Sequence, residues 1–208
     1  MNRSTLVVAK KHLKKSDPVI GKLIDALGNI DLRRRPANFE SFVQIIVNQQ
    51  LSDKAAKTIF GRIKKKGLER ALSPNIILNI GPEGLRECGL SAAKTDYVLG
   101  IATHFFENPS YIKILKRMDG EAALESLMSL RGFGVWSASI FLLFNLRHAD
   151  IFPYGDATLG KAIRLLYDVK IDKKREGEKK VTNAWAPYRS IASLYLWEWI
   201  DQGQPNLL

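Results

Sequence analysis

Apolar side chains recur along this chain at the spacing of α-helices, and no segment shows the apolar–polar alternation of a half-buried strand. The clearest stripe, with apolar residues at i, i+3, i+4, i+7 and i+8, predicts a helix from Phe39 to about Gln50. Ser52 and Ser91 each precede a further stripe, which is the typical place of a helix N-cap. The pattern predicts an all-α fold.

In the second half of the chain, apolar residues also follow helical spacing. Its expected elements are a helix after Asp119-Gly120 that carries Ala123 to Met128, an all-round apolar helix from Val135 to about Leu146, a helix headed by Asp156, a polar basic loop over Lys173–Lys180, and a last helix from about Pro187 to Ile200. Because a helix that is apolar on every side is normally buried, we expect the Val135–Leu146 helix to be central.

Composition narrows the function classes. The 208 residues carry a net charge of +11, which favours a polyanionic partner such as nucleic acid. The single cysteine, Cys88, excludes a disulfide framework or a four-cysteine cluster within the chain, and the three histidines lack the spacing of zinc ligands. No signal peptide is visible, and the longest apolar run, Ile140–Phe144, is too short to span a bilayer. We therefore expect no membrane association and an intracellular protein, in the cytoplasm and nucleoid or in a nucleus.

The basic runs Arg33–Arg35, Lys64–Lys66 and Lys173–Lys180 are interpreted as solvated faces rather than specific contacts. More specific is the two-glycine turn Gly132-Phe133-Gly134 between two predicted helices. Glycines at this spacing allow a sharp turn with outward N–H groups, and with a helix N-terminus these donors can bind a phosphate. The spacing alone is equally compatible with an ordinary helix–helix turn.

The stretch Leu130–Ala138 resembles the hairpin Leu-Pro-Gly-x-Gly-x-x-Thr-Ala of the helix-hairpin-helix DNA glycosylase superfamily, with Arg131 in place of the proline and Ser137 in place of the threonine. Asp150–Leu159 resembles the element that carries the superfamily's catalytic aspartate. The resemblance implies that Asp156 is the catalytic carboxylate. Its position is also that of an N-cap, and the two roles are compatible because a helix N-terminus favours an ionised carboxylate.

Superfamily members that also cleave the DNA backbone carry a lysine two residues after the second hairpin glycine, where this chain has Trp136. The resemblance therefore implies a monofunctional enzyme. Three further stretches, Phe39–Ser52, Leu85–Lys94 and Trp185–Trp197, are similar to the 3-methyladenine DNA glycosylase II family. They imply its compact form: a two-lobed helix-hairpin-helix glycosylase fold, with residues 1–208 as a single domain, the hairpin at about 127–146 and the active site between the lobes.

The same resemblance implies roles for further residues. Trp136 and Trp197 stack the flipped base. Trp197 also stands out on a helical wheel, where it falls among Ser190, Ser193 and Asp201, opposite the apolar stripe; a second packing surface is the alternative. Gln49 and Gln50 fall where the family enters the minor groove, and Gln50 either fills the space of the flipped base or is an ordinary exposed glutamine. The hairpin amides of Gly132, Gly134 and Ser137 hold a phosphate.

No cofactor is expected beyond a structural Na⁺ or K⁺ at the hairpin, bound by the backbone carbonyls of Met128, Leu130 and Phe133. The implied function is base excision repair: hydrolysis of the N-glycosidic bond of alkylated purines after base flipping, by a monomer acting on double-stranded DNA that contains alkylated bases. The choice among 3-methyladenine, 7-methylguanine, ethenoadenine and hypoxanthine stays open. The alternative is a non-catalytic helix-hairpin-helix DNA-binding module.

Overall fold

The computed structural model describes residues 1, 3–31, 35–68, 71–170, 172 and 174–205. Arg33, Arg34 and Lys173, from two of the basic runs, lie outside this part of the chain. The described residues form no strand, and the all-α prediction is confirmed. Their helices are α1 (Arg3–Ser16), α2 (Pro18–Leu27), α3 (Phe39–Asn48), α4 (Asp53–Lys66), α5 (Pro74–Glu87), α6 (Ala92–Glu107), α7 (Tyr111–Leu115), α8 (Gly120–Met128), α9 (Val135–Phe141), α10 (Ala157–Tyr167), α11 (Glu176–Asn183) and α12 (Arg189–Asp201).

Local sequence signals set many of the helix ends. Ser52, Ser91 and Asp156 are the N-caps of α4, α6 and α10, because the side-chain oxygen of each accepts the backbone N–H three residues further on. Gly67 and Asn108 are the C-caps of α4 and α6. Within the described residues, no helix is both long and apolar enough to cross a bilayer.

The chain divides into two compact units. The first unit comprises Met1–Arg34 and Leu142–Leu208, and the second unit comprises Arg35–Phe141. In the second unit an aromatic cluster fixes the core: the Phe42 ring of α3 lies 4.8 Å from that of Phe105, 5.2 Å from Phe133 and 4.3 Å from Phe141. Since Phe133 sits between the two hairpin glycines, this cluster anchors the turn on α3.

The first unit is organised around a buried carboxylate. Asp17, only 6% exposed, accepts the N–H groups of Val19 and Ile20 through Oδ1 and thereby caps α2. Its Oδ2 accepts the Tyr167 hydroxyl and the Trp185 Nε1–H, each at 2.7 Å. A buried carboxylate needs such donors to offset its loss of hydration. Asp17 therefore ties α2 to α10 and to the segment before α12.

Three predicted elements differ from the structure. The predicted helix Val135–Leu146 is α-helical only to Phe141 and continues as a π-helical segment over Leu142–Leu146, where the His148 N–H reaches the Leu142 carbonyl. The last helix begins at Arg189 rather than Pro187, because Tyr188 is in a non-helical conformation. The loop predicted over Lys173–Lys180 is wrong from Glu176 onward: α11 begins there, with Glu176 and Glu178 in its first turn and Glu178 buried against Arg175.

Candidate active site and nucleic-acid interface

Asp156, the N-cap of α10, accepts hydrogen bonds from α10 and from α12. Its Oδ1 accepts the Leu159 N–H at 2.9 Å and the Trp197 Nε1–H at 3.2 Å. Gly155, with φ +92°, supplies the left-handed turn that leads into the helix. The carboxylate is half-buried, so it combines a fixed orientation with access from solvent. This geometry suits a negative charge that must face a reacting centre without reorganising.

Trp197 lies on α12, half-buried, with Phe144 of the π-helical segment stacked on it at a centroid distance of 5.5 Å. The structure corrects one sequence interpretation, namely that Trp197 shares a polar face with Ser190 and Ser193. Both serines are fully buried. Their hydroxyls are satisfied by hydrogen bonds inside the unit, Ser190 Oγ with the backbone of Ile151 and Ser193 Oγ with the Arg189 carbonyl. Trp197 and Asp156 are thus the two predicted site residues that the first unit brings into contact.

The loop before Asp156 is pinned to the start of α12. The Asp150 carboxylate accepts the backbone N–H and the Nη1 of Arg189, at 3.2 and 3.0 Å, and Ser190 Oγ bonds both the N–H and the carbonyl of Ile151 at 3.0 Å. Sequence reasoning missed Asp150, Arg189 and Ser190 as functional residues. A signal was present, since Arg189 and Ser190 belong to a family-like stretch. One helix therefore places the loop that carries Asp156 and also donates the Trp197 bond.

The two-glycine turn connects α8 and α9, as predicted. Gly132 has φ +91°, and a Cβ there would lie 2.4 Å from Cγ of Tyr97. Only glycine fits, because both the conformation and the space exclude a side chain. The guanidinium of the exposed Arg131 lies 5.8 Å from the centroid of the same Tyr97 ring. Gly134 is exposed, and Trp136 lies half-exposed in the first turn of α9.

Gln49 links α3 to this hairpin. Its Nε2 donates to the Gly132 carbonyl and to Ser137 Oγ, both at 2.8 Å. Ser137 is buried, and its hydroxyl accepts the bond from Gln49. Its backbone N–H, in the first turn of α9, is the group that the sequence predicts as a phosphate donor. The structure thus brings together three predicted residues of the second unit, with the Gln49 side chain turned toward the hairpin.

Gln50 is exposed and in the left-handed conformation, with φ +54°. The segment that carries it is held by Lys94, whose Nζ donates to the carbonyls of Val47 and Gln49 at 2.8 and 2.6 Å. Partial burial lowers the pKa of this ammonium group. Lys94 was not among the predicted site residues, although it ends one of the family-like stretches. It satisfies carbonyls at the C-terminus of α3 that lack helical partners.

The predicted cation ligands lie at the same turn. The Leu130 carbonyl accepts the Phe133 N–H at 2.9 Å, which uses one of its two lone pairs, and Met128 is the last residue of α8. A carbonyl at the end of a helix lacks an intrahelical partner, so this donor set fits a hard monovalent cation. In the described part of the chain, no group of three or more His, Cys, Asp or Glu residues forms a metal site.

Comparison with known proteins gives concordant matches. The sequence profile of the "HhH-GPD superfamily base excision DNA repair protein" family matches residues 43–187. Alkylbase DNA glycosidase-like protein mag2 of Schizosaccharomyces pombe is 29% identical over 196 residues, which cover 91% of this chain and 92% of that protein. The crystal structure of DNA-3-methyladenine glycosidase from Bacillus halodurans is similar with a TM-score of 0.80 at 29% identity, covering 91% and 87% of the two chains. The 3-methyladenine DNA glycosylase Mag1 of S. pombe, solved in complex with abasic DNA, has a TM-score of 0.82 at 28% identity, covering 95% and 98%.

Proposed function

The chain belongs to the HhH-GPD superfamily of base excision DNA repair proteins, and from that membership we propose that it is a monofunctional DNA glycosylase that releases alkylated purines from duplex DNA inside the cell. The names of similar proteins, which are 3-methyladenine glycosylases, support this substrate class. The observation that carries the proposal is the half-buried Asp156 carboxylate, oriented at the head of α10 by the Leu159 and Trp197 N–H groups.

In the proposed reaction, the damaged nucleotide is flipped out of the duplex and its C1′ approaches Asp156. The bond between C1′ and the purine nitrogen breaks, and its electron pair leaves with the base and neutralises the base's positive charge. The deoxyribose then carries oxocarbenium character, which the fixed carboxylate stabilises. A water molecule forms the new bond to C1′ and loses a proton, so the products are the free base and an abasic strand.

Water is the nucleophile because the hairpin position of the lyase lysine is Trp136. We propose that Trp136 stacks against the flipped base. Trp197 acts first through its N–H bond to Asp156, and with Phe144 stacked on it, Trp197 presents at most one ring face to a base. A cationic purine is attracted to an indole face by stacking and cation–π interaction.

DNA is held by the hairpin amides of Gly132, Gly134 and Ser137, and we propose that Gln50 enters the space left by the flipped base. Its exposure and left-handed backbone support this role. Gln49 and Lys94 then act as positioning residues, since they fix the segment that presents Gln50 and join it to the hairpin. A Na⁺ or K⁺ ion on the carbonyls of Met128, Leu130 and Phe133 would add positive charge where the hairpin meets a phosphate.

The proposal is tested by a base-release assay. Duplexes that contain 3-methyladenine, 7-methylguanine, ethenoadenine or hypoxanthine are incubated with the protein, and free base and strand integrity are measured. We expect release of at least the alkylated purines, an intact abasic strand and no covalent adduct trapped by borohydride. Efficient trapping would contradict the monofunctional mechanism.

The non-catalytic alternative retains one argument, since one similar protein is named only glycosidase-like. It predicts duplex binding with no free base from any lesion. The same assay therefore separates the two functions, provided that binding of the protein to each duplex is measured beside base release.

A further inference from the structure

An open pocket of about 570 Å³ adjoins Asp156 within the first unit. Its lining includes Gly155, Asp156, Gly160, Arg164, Asp172 and Arg175. Apart from the two glycines and Ala157, the lining consists of charged residues. The proposed reaction uses Asp156 but neither arginine, so the pocket calls for a ligand that guanidinium groups recognise.

Arg175 is held in the pocket wall by an unusual partner. Its Nη1 donates at 3.1 Å to Oε2 of Glu178, whose side chain is fully buried. Within the described part of the chain, Oε1 of Glu178 has no hydrogen-bond partner. A buried carboxylate with so few donors has a large desolvation penalty, and this penalty makes the bond to Arg175 its main compensation. Glu178 therefore fixes the guanidinium.

The fixed guanidinium lines the same pocket as Asp156. Its Nη2 lies 3.6 Å from the point that a Cβ on Gly155 would occupy, so it rests beside the residue that precedes Asp156. Arg175 itself has φ +60°, a left-handed conformation that is uncommon for a residue with a side chain. Its side chain remains 34% exposed, which leaves part of the fork open to a ligand.

Arg164 and Asp172 are the other two charged residues that line this pocket beside Asp156 and Arg175. Arg164 is exposed on α10, two turns beyond Asp156. Asp172 is engaged at the start of α11, because its Oδ1 accepts the Glu176 N–H at 3.3 Å and its carbonyl accepts the Arg175 N–H at 3.2 Å. The side-chain hydrogen-bond donors of the pocket lining are thus guanidinium groups, which match the oxygens of a phosphate.

We propose that this pocket binds a phosphodiester group of the DNA strand that carries the flipped nucleotide, with Arg175 as the main donor and Arg164 as the second. The inference rests on the proposed function: Asp156 must face C1′ of the flipped deoxyribose, and that sugar is bonded through its 3′ and 5′ oxygens to two phosphates. A backbone anion therefore has to lie beside Asp156. Contact with it holds the reacting nucleotide rather than the duplex in general.

The test uses two variants with the same net charge as the wild type. The first, Arg175→Gln combined with Glu178→Gln, removes the guanidinium without leaving the buried carboxylate unpaired. Its matched control, Lys179→Gln combined with Glu176→Gln, removes the exposed ion pair of the same helix at the same i,i+3 spacing. Arg164→Gln, which leaves the Arg175–Glu178 pair intact and lowers the net charge by one, is a third variant. Circular dichroism establishes that each protein is folded.

Affinity is measured for a duplex with a tetrahydrofuran abasic-site analogue, and for duplexes in which the phosphate 5′ or 3′ to that site is an uncharged methylphosphonate. We expect the first variant to bind the phosphodiester duplex about tenfold more weakly than wild type, with the control variant unchanged and Arg164→Gln showing a smaller loss. On one of the two methylphosphonate duplexes, the one that lacks the charge of the phosphate bound in the pocket, the wild type and the first variant should have equal affinity.

The proposed phosphate site would be contradicted if the first variant lost the same affinity on every duplex, or if it lost none. Base release by the wild type from alkylated DNA is measured in parallel. Its absence would overturn the proposed function, while the binding comparison would still report on the phosphate contact by itself.

Discussion

The hydrogen bond from Trp197 Nε1 to Asp156 Oδ1 gives the tryptophan a role that differs from stacking a base. At 3.2 Å, it joins the two residues on which the proposed chemistry depends most, and Phe144 fixes the indole from one face. A bond to a carboxylate contributes more than a neutral one, on the order of 1.5–3 kcal/mol. Trp197 thus helps to hold the carboxylate where the oxocarbenium charge develops.

Trp197→Phe removes this N–H while keeping an aromatic ring, so we expect single-turnover excision to slow about tenfold or more, to a similar extent for a cationic and a neutral lesion. The control is Trp199→Phe on the same helix, whose indole N–H donates instead to the Pro205 carbonyl at 3.0 Å; it should leave excision unchanged. A loss confined to the cationic lesion would instead assign Trp197 to base stacking alone.

Among the elements, the hairpin depends on one of its two glycines far more than on the other. Gly132 combines φ +91° with the close approach of Tyr97, whose Cγ would lie 2.4 Å from an added Cβ. Gly134 has no atom within 4 Å of its own Cβ position. The Gln49 amide and the Phe133 ring hold the Gly132 side of the turn on α3.

Gly132→Ala should therefore introduce strain of about 1–3 kcal/mol, lower the melting temperature and weaken binding to damaged and undamaged duplexes alike. Gly134→Ala is the matched control and should retain the wild-type melting temperature. Thermal unfolding and duplex titrations check both statements. Equal stability and affinity of the two variants would show that the turn does not need a glycine at position 132.

The elements that sequence predicted well are those with local signals. Ser52, Ser91 and Asp156 cap their helices through contacts three residues away, so each signal lies beside its effect. The missed contacts are distant along the chain: Trp185 bonds Asp17 over 168 residues, and Arg189 bonds Asp150 over 39. The sequence did not predict helix α11, because this segment is mostly charged and nothing in its local pattern indicates that Glu178 is buried. No local pattern identifies the partners of such contacts.

At the scale of the whole molecule, two tyrosines of the first unit, the buried Tyr195 and the half-buried Tyr167, contribute to the response to high pH. Burial raises the pKa of Tyr195 to about 12, and its hydroxyl donates to the Gly28 carbonyl. Burial, followed by the negative charge of Asp17, also raises the pKa of Tyr167. Both groups stay protonated in the folded protein at a pH where they ionise in the unfolded chain.

The free energy of unfolding should therefore be insensitive to these groups below pH 10.0, the ordinary pKa of tyrosine, and fall as pH rises from there through about 12. Urea unfolding at several pH values from about 8 to about 11 measures this fall. Tyr195→Phe removes one of the two groups, so its stability should decline less steeply. If the free energy of unfolding fell equally steeply with pH in the variant and the wild type, Tyr195 would not contribute to this fall.

Single-turnover base release by Asp156→Asn tests the central claim most directly. The asparagine side chain can still accept the Leu159 and Trp197 N–H groups that Oδ1 accepts now, so the fold and the affinity for abasic-analogue duplex should stay close to wild type. Without the negative charge, release of 3-methyladenine should fall on the order of 100-fold or more. A folded Asp156→Asn protein that releases the base at the wild-type rate would contradict the assignment of Asp156 as the catalytic carboxylate.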